Sequence, residues 1–164
     1  MPKLNRSQKA RRIAILTLMC SAGWILGAVS NGAAMDTDLR AGVYTDSEAI
    51  GVGAGLLTQV GSTSRWFFNP NVEIAFGDEE NLVGLNGDFH YDFYSSANSG
   101  MSAWLGGGPA VLMSNPDAGD TQTDLGLNVL AGLGGNGGTV RPFAQVKGII
   151  TDESQVVLQG GIRF

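Results

Sequence analysis

Val156-Val157-Leu158-Gln159-Gly160-Gly161-Ile162-Arg163-Phe164 sorts its side chains by alternate positions. Side chains along an extended chain point to opposite faces in turn. Val156, Leu158, Ile162 and Phe164 therefore share one face, opposite Val157, Gln159 and Arg163. A period of two over so many residues predicts a strand with two unlike faces.

Working back from this stretch, the same texture recurs. Runs at 38–45, 50–60, 66–76, 82–94, 101–113, 124–133, 140–150 and 156–164 are separated by clusters of Gly, Asn, Asp and Ser. Short runs broken by turn residues at regular intervals predict consecutive antiparallel strands. Most of them are close to the roughly 9–11 residues with which a tilted strand crosses a bilayer. The short connections make sequential strands neighbours. Eight such strands close into a barrel, which leaves no exposed edge.

Each run has an apolar and a polar face. Ile50, Val52, Ala54 and Leu56 share a face, as do Phe68, Val72, Ile74 and Phe76. Val83, Leu85, Phe89, Tyr91 and Phe93 do so in the fourth run, and Leu125, Leu127, Val129, Ala131 and Leu133 in the sixth. The opposite faces carry Glu73, Asp88, His90, Asp92, Asp124, Asn128, Arg141, Gln145, Lys147, Gln159 and Arg163. Alternation alone leaves two arrangements open. A soluble periplasmic, lipocalin-like barrel binding an apolar ligand would turn the apolar faces inward. A transmembrane barrel would turn them outward. The strand charges favour the second arrangement, since Glu73, Asp88, Asp92 and Asp124 nearly balance Arg40, Arg141, Lys147 and Arg163. A closed interior needs that balance, because unpaired buried charge is costly.

Residues 1–34 read differently. Lys3, Arg6, Lys9, Arg11 and Arg12 precede an uncharged run from Ile13 to Val29, and Gly32-Ala33-Ala34 follow. Basic, apolar, then small is the order of a secretory signal peptide. Cleavage is expected after Ala34, with Ser30 as the alternative, which leaves a barrel domain at 35–164. A permanent helix would be at the short end of a span. Arg11-Arg12 reads as ordinary leader charge, and Met19 before Cys20 does not fit a lipidation site. Without the leader, five basic residues face fifteen acidic ones, a net charge of −10. No cysteine remains, so disulfides and thiol chemistry are excluded. The acidity argues against nucleic-acid binding.

The terminal run resembles the C-terminal strand of bacterial outer-membrane proteins. In them an aromatic last residue, after apolar residues at alternate positions, is read by the barrel-assembly machinery. Val156, Leu158, Ile162 and Phe164 match, and Gly160 departs. In layout the chain resembles the small eight-stranded barrels of the OmpA and OmpX type. The resemblance implies an all-β, eight-stranded antiparallel up-and-down transmembrane barrel in the outer membrane, exported through the periplasm. It also implies contact with outer-membrane lipid and both termini in the periplasm. The outward connections then hold nine acids, in Thr45–Glu48, Gly77–Glu80, Asn115–Asp120 and Thr151–Glu153, and the inward turns 61–64, 95–99 and 134–138 hold none. Trp66, Phe67, Phe68, Phe93, Tyr94, Trp104 and Phe164 gather at the periplasmic ends, as interfacial girdles do, with Phe67 and Trp104 alternatively pointing into the lumen.

Asp88, His90 and Asp92 share one face and form the one cluster with catalytic potential. His90 could act as a general base oriented by a carboxylate, in a lipid-A or phospholipid-modifying enzyme. Outer-membrane lipid-A deacylases carry a serine two residues after the histidine, where this chain has Asp92. The simpler reading is a hydrogen-bonded interior histidine. Zinc accepts such ligands, but a single His without cysteine makes a poor set. Gly106-Gly107-Gly108-Pro109 lies within a strand pattern and marks a bulge or a close backbone approach rather than a phosphate loop.

The expectation is a non-enzymatic monomer without cofactor. Its lumen would be filled by a polar network of Arg40, Glu73, Asp88, His90, Asp92, Arg141, Lys147 and Arg163. Within it, Glu73 would face Lys147, and Asp92 would lie near Arg163 and Arg141. Divalent cations at the acidic outer loops are a further expected partner, since clustered carboxylates suit Ca²⁺.

Overall fold

The computed structural model describes residues 35–61, 65–78, 80–116, 121–152 and 154–164. The signal peptide expected at 1–34 lies outside them. Eight antiparallel strands follow one another: β1 (Met35–Tyr44), β2 (Ala49–Gln59), β3 (Trp66–Phe76), β4 (Glu80–Ser96), β5 (Met101–Pro116), β6 (Gln122–Gly135), β7 (Arg141–Ile150) and β8 (Gln155–Arg163). Each pairs with the next, and β8 pairs with β1, so the sheet closes into an up-and-down barrel. The seam is sealed to the chain's last residue. Thr37 N donates to Phe164 O at 2.8 Å, and Phe164 N donates to Thr37 O at 2.9 Å.

The apolar faces turn outward. Ile50, Val52, Leu125, Leu127, Val129, Leu158 and Phe164 are all exposed, Leu125 at 81%. Asp38, Glu73, Asp88 and Lys147 are buried inside at 0–2%. This is the inversion expected where hydrocarbon is the solvent. A barrel holding an apolar ligand in water needs the opposite arrangement, so the lipocalin-like alternative does not describe this chain.

Two local departures have physical causes. Along β2, Gly55, Leu56 and Leu57 are all buried, so Leu56 leaves the exposed face expected for it. The register between β2 and β3 sets Leu56 opposite Pro70, and the pairing skips this position, between Gly55↔Asn71 and Thr58↔Phe68. Proline has no N–H to donate. Asn69 Nδ2 instead donates to Leu56 O at 3.0 Å. The second departure is a bulge in β4, between Asp92 and Tyr94. The extra residue turns both Phe93 and Tyr94 outward, at 52% and 48% exposure. The register between β4 and β5 is unshifted across Gly106–Pro109. There the glycines serve close approach, since a Cβ on Gly108 would collide with Gly87 O.

The barrel wall is uneven in height. β4, β5 and β6 have 17, 16 and 14 residues, whereas β7, β8 and β1 have 10, 9 and 10.

The lumen is layered. At the end carrying the β1–β2, β3–β4, β5–β6 and β7–β8 connections, here the loop end, it is apolar. Tyr44, Ala49, Ala75, Leu82, Ala110, Leu112, Ile149 and Val157 pack together there. The sequence predicts a largely plugged polar lumen and does not indicate this apolar layer. The polar groups occupy the middle, and Trp104, Leu130 and Phe143 cluster toward the end that carries both termini.

Candidate functional site: the ionic core of the lumen

The inner face of β2 is bare at Gly51, Gly53 and Gly55. A Cβ on Gly53 would come within 2.8 Å of Glu73 Cγ and 3.2 Å of Arg40 Cγ. The missing side chains let β1 and β3 meet over β2. Arg40 holds Asp38 through Nε at 2.9 Å and Nη2 at 2.6 Å. Its Nη1 reaches Glu73 Oε1 at 3.4 Å.

Glu73 is the hub. Its Oε2 accepts from Lys147 Nζ at 2.6 Å and from Tyr44 Oη at 2.8 Å. Its Oε1 also accepts from Gln159 Nε2 at 2.8 Å. Gln145 Nε2 donates to Gln159 Oε1 at 3.1 Å, and Trp104 Nε1 donates to Gln145 Oε1 at 3.2 Å. Three strands, β1, β7 and β8, thus converge on the carboxylate that β3 carries. A buried carboxylate is tolerated when cations and donors satisfy its oxygens.

Amides extend the network. Asn69 Oδ1 accepts from Arg40 Nη2 at 2.7 Å, and Asn69 Nδ2 donates to Asp38 Oδ2 at 2.8 Å. Asp88 has no cation at ion-pair distance among the described residues. It accepts from Asn71 Nδ2 at 2.9 Å and from Asn128 Nδ2 at 2.7 Å. Asn86 links the two, donating to Asn71 Oδ1 at 2.9 Å and accepting from Asn128 Nδ2 at 2.8 Å.

Toward the termini the partners differ from those expected. Arg141 pairs with Asp36 at 2.6 Å. The Arg163 guanidinium lies over Trp104 and Phe143, 4.4 and 4.7 Å from the ring centroids. Asp92 lies 3.5 Å from His90 Nε2. No ion pair joins Asp92 to either arginine among the described residues. The rings explain this: a flat guanidinium stacks on aromatic faces, and Trp104 and Phe143 offer two. Gly132 makes room for the indole, since a Cβ there would collide with it. His90 stacks between Phe67 and Trp104, with centroids at 5.3 and 5.4 Å. Phe67 and Trp104 thus line the lumen, the alternative expected for these two, and are not part of the outer girdle.

No protein-family model matches the chain, and no curated protein is found similar to it. Solved structures do match. The crystal structure of Neisserial surface protein A, NspA, superimposes with a TM-score of 0.61 at 15% identity, covering 81% of this chain and 98% of that one. The barrel shares its fold with NspA. The N-terminal β-barrel domain of Pseudomonas aeruginosa OprF follows, with a TM-score of 0.56 at 17% identity, covering 79% of this chain and 96% of that one.

Within this NspA-like barrel, His90 is 2% exposed. A general base must come within hydrogen-bond reach of its substrate. The imidazole is enclosed within the lumen, between the rings of Phe67 and Trp104. Among the described residues, no group of three or more His, Cys, Asp or Glu is placed to hold a metal ion. The acidic loops are only partly described, with Glu79, Asp117, Asp120 and Glu153 outside. Asp46 braces the first loop against β8, where its Oδ2 accepts from Val156 N at 2.9 Å.

Sequence reasoning named the charged residues of the ionic core apart from Asp38, and apart from Asp36, the partner of Arg141 at its mouth. It also passed over Asn69, Asn71, Asn86 and Tyr44. The signal for Asp38 was present, since residues two apart on a strand share a face and Arg40 was already assigned. The asparagines read as turn formers, which hid them within strands.

Proposed function

We propose that this chain is an integral outer-membrane protein whose barrel is a closed structural unit rather than an open pore. Its role in this reading is structural or surface-interacting, with at most minor passage of small solutes. Loops face outward and both termini face the periplasm. The observation that carries it is Glu73 at the lumen centre, held by Lys147, Arg40, Tyr44 and Gln159 beneath an apolar layer. An eight-stranded barrel has an interior about filled by side chains. Here those side chains cross-link opposite walls. The apolar exterior and the likeness in fold to NspA support the membrane setting.

Two measurements test this. The protein should fractionate with outer membranes and shift its mobility on a detergent gel when boiled. In planar bilayers it should show no conductance of open-porin size. Detergent-free solubility would overturn the membrane setting, and steady porin-like conductance would overturn the closed lumen.

A further inference from the structure

The outer wall is not evenly covered. Across β5, β6, β7 and β8, Ala103, Leu133, Ala144 and Gly160 stand in one row. Leu105, Ala131, Val146 and Leu158 form the next row toward the loops. The small side chains of Ala103, Ala131 and Ala144 leave a shallow, open groove of about 620 Å³, its walls mainly apolar, with Gln145 and Gln159 also contributing to its lining. Phe93, turned outward by the β4 bulge, borders it on one side.

A cation sits beside that border. Arg65 Nη1 lies 3.5 Å from Phe93 O, and Arg65 O accepts from Asp92 N at 2.9 Å. Five basic residues follow position 34. Arg40, Lys147 and Arg163 are buried in the lumen, and Arg141 is paired at its mouth. Arg65 is the one left on the outer surface, at the termini end, among the exposed aromatics Trp66, Tyr91, Phe93 and Tyr94.

We propose that this groove seats an acyl chain of a glycerophospholipid whose phosphate rests on Arg65. Apolar walls suit a hydrocarbon tail, the guanidinium suits a phosphate, and aromatic side chains mark headgroup depth. A second copy fits less well. To pair with Arg65 it would bring a carboxylate, and among the described residues the exposed acidic side chains Asp46, Glu48, Asp78 and Asp152 lie at the loop end. A neighbour in the same orientation presents them at the wrong depth. The site rests on the proposed membrane setting, with the termini end in the phospholipid leaflet.

The test is native mass spectrometry of the membrane-extracted protein titrated with dioleoyl phosphatidylglycerol. The wild type should retain one lipid per barrel. Ala144→Phe, which fills the groove, should abolish retention. Arg65→Gln should weaken it roughly tenfold, the scale of one charged hydrogen bond, and leave retention of dioleoylglycerol unchanged. Val52→Phe, on the far wall, should behave as wild type. Heat-shifted migration certifies that each variant is folded. Equal retention by folded wild type and both groove-side variants would overturn the site while leaving the barrel reading intact. A wild-type dimer lost in Ala144→Phe would overturn it in favour of self-association. Wild-type protein outside the membrane would overturn the setting itself.

Discussion

Lys147 Nζ sits 2.6 Å from Glu73 Oε2, and both side chains are at most 2% exposed. They come from strands on opposite sides of the ring. Truncating Lys147 leaves Glu73 with the longer Arg40 contact and neutral donors in place of its closest cation, and breaking a buried pair in this way costs up to about 3–5 kcal/mol. Lys147→Met should lose stability on that scale in urea titrations of the barrel folded into lipid vesicles. Adding Glu73→Gln should recover part of the loss. A double variant as unstable as the sum of the singles would mean the two groups are not coupled.

Asn69 and Pro70 make a second coupled pair. Pro70 cannot satisfy Leu56 O, and Asn69 does so from the side chain. Asn69→Ala should cost about 1–3 kcal/mol through groups left unpaired. Pro70→Ala supplies the missing N–H and should reduce that cost. The same vesicle titrations applied to a double-mutant cycle measure the coupling. Strict additivity would argue against the substitution of side chain for backbone.

Gly132 faces the Trp104 indole with no room for a side chain. Gly132→Leu should cost about 1–3 kcal/mol by overpacking. It should also move the indole off His90 and Arg163, changing tryptophan fluorescence and near-ultraviolet circular dichroism. Unchanged spectra in a folded variant would contradict the packing described.

Hydrocarbon contact can be read by depth. Val129 lies midway along β6 and is 58% exposed, and Leu125 stands nearer the loops. An arginine at the bilayer midplane costs about 2–4 kcal/mol, falling to about 0–1 near the interfaces. Val129→Arg should therefore destabilise far more than Leu125→Arg in vesicles. Equal small effects would indicate water on both positions.

His90 should be silent chemically. Lipid A and phospholipids extracted from cells with and without the protein should have the same masses. A modification present with wild type and lost in His90→Ala would restore the enzyme reading.

The strands were legible because period two is a local signal, readable without partners. Glu73 and Lys147 were legible as opposed charges, since strand order in a ring determines which walls face each other. The partners of Asp92 were not. Their pairing depends on stagger between strands, and Arg163 takes aromatic faces that sequence reasoning had placed partly outside. The β4 bulge was hidden because Phe93 and Tyr94 carry no turn chemistry. The apolar layer at the loop end went unseen because Tyr44, Leu82, Leu112, Ile149 and Val157 lie far apart in the chain and meet only on closure.

The unequal wall has a mechanical consequence. Nine residues in β8 barely match the roughly 9–11 that a bilayer requires, whereas the 17 of β4 overshoot it. A slab of constant thickness cannot suit both sides of such a cylinder. Lipid beside β7, β8 and β1 would have to thin, or the cylinder lean toward that side, and either response costs fractions of a kcal/mol per Å. The closing seam between β8 and β1 would then stand in the most compressed lipid around the protein.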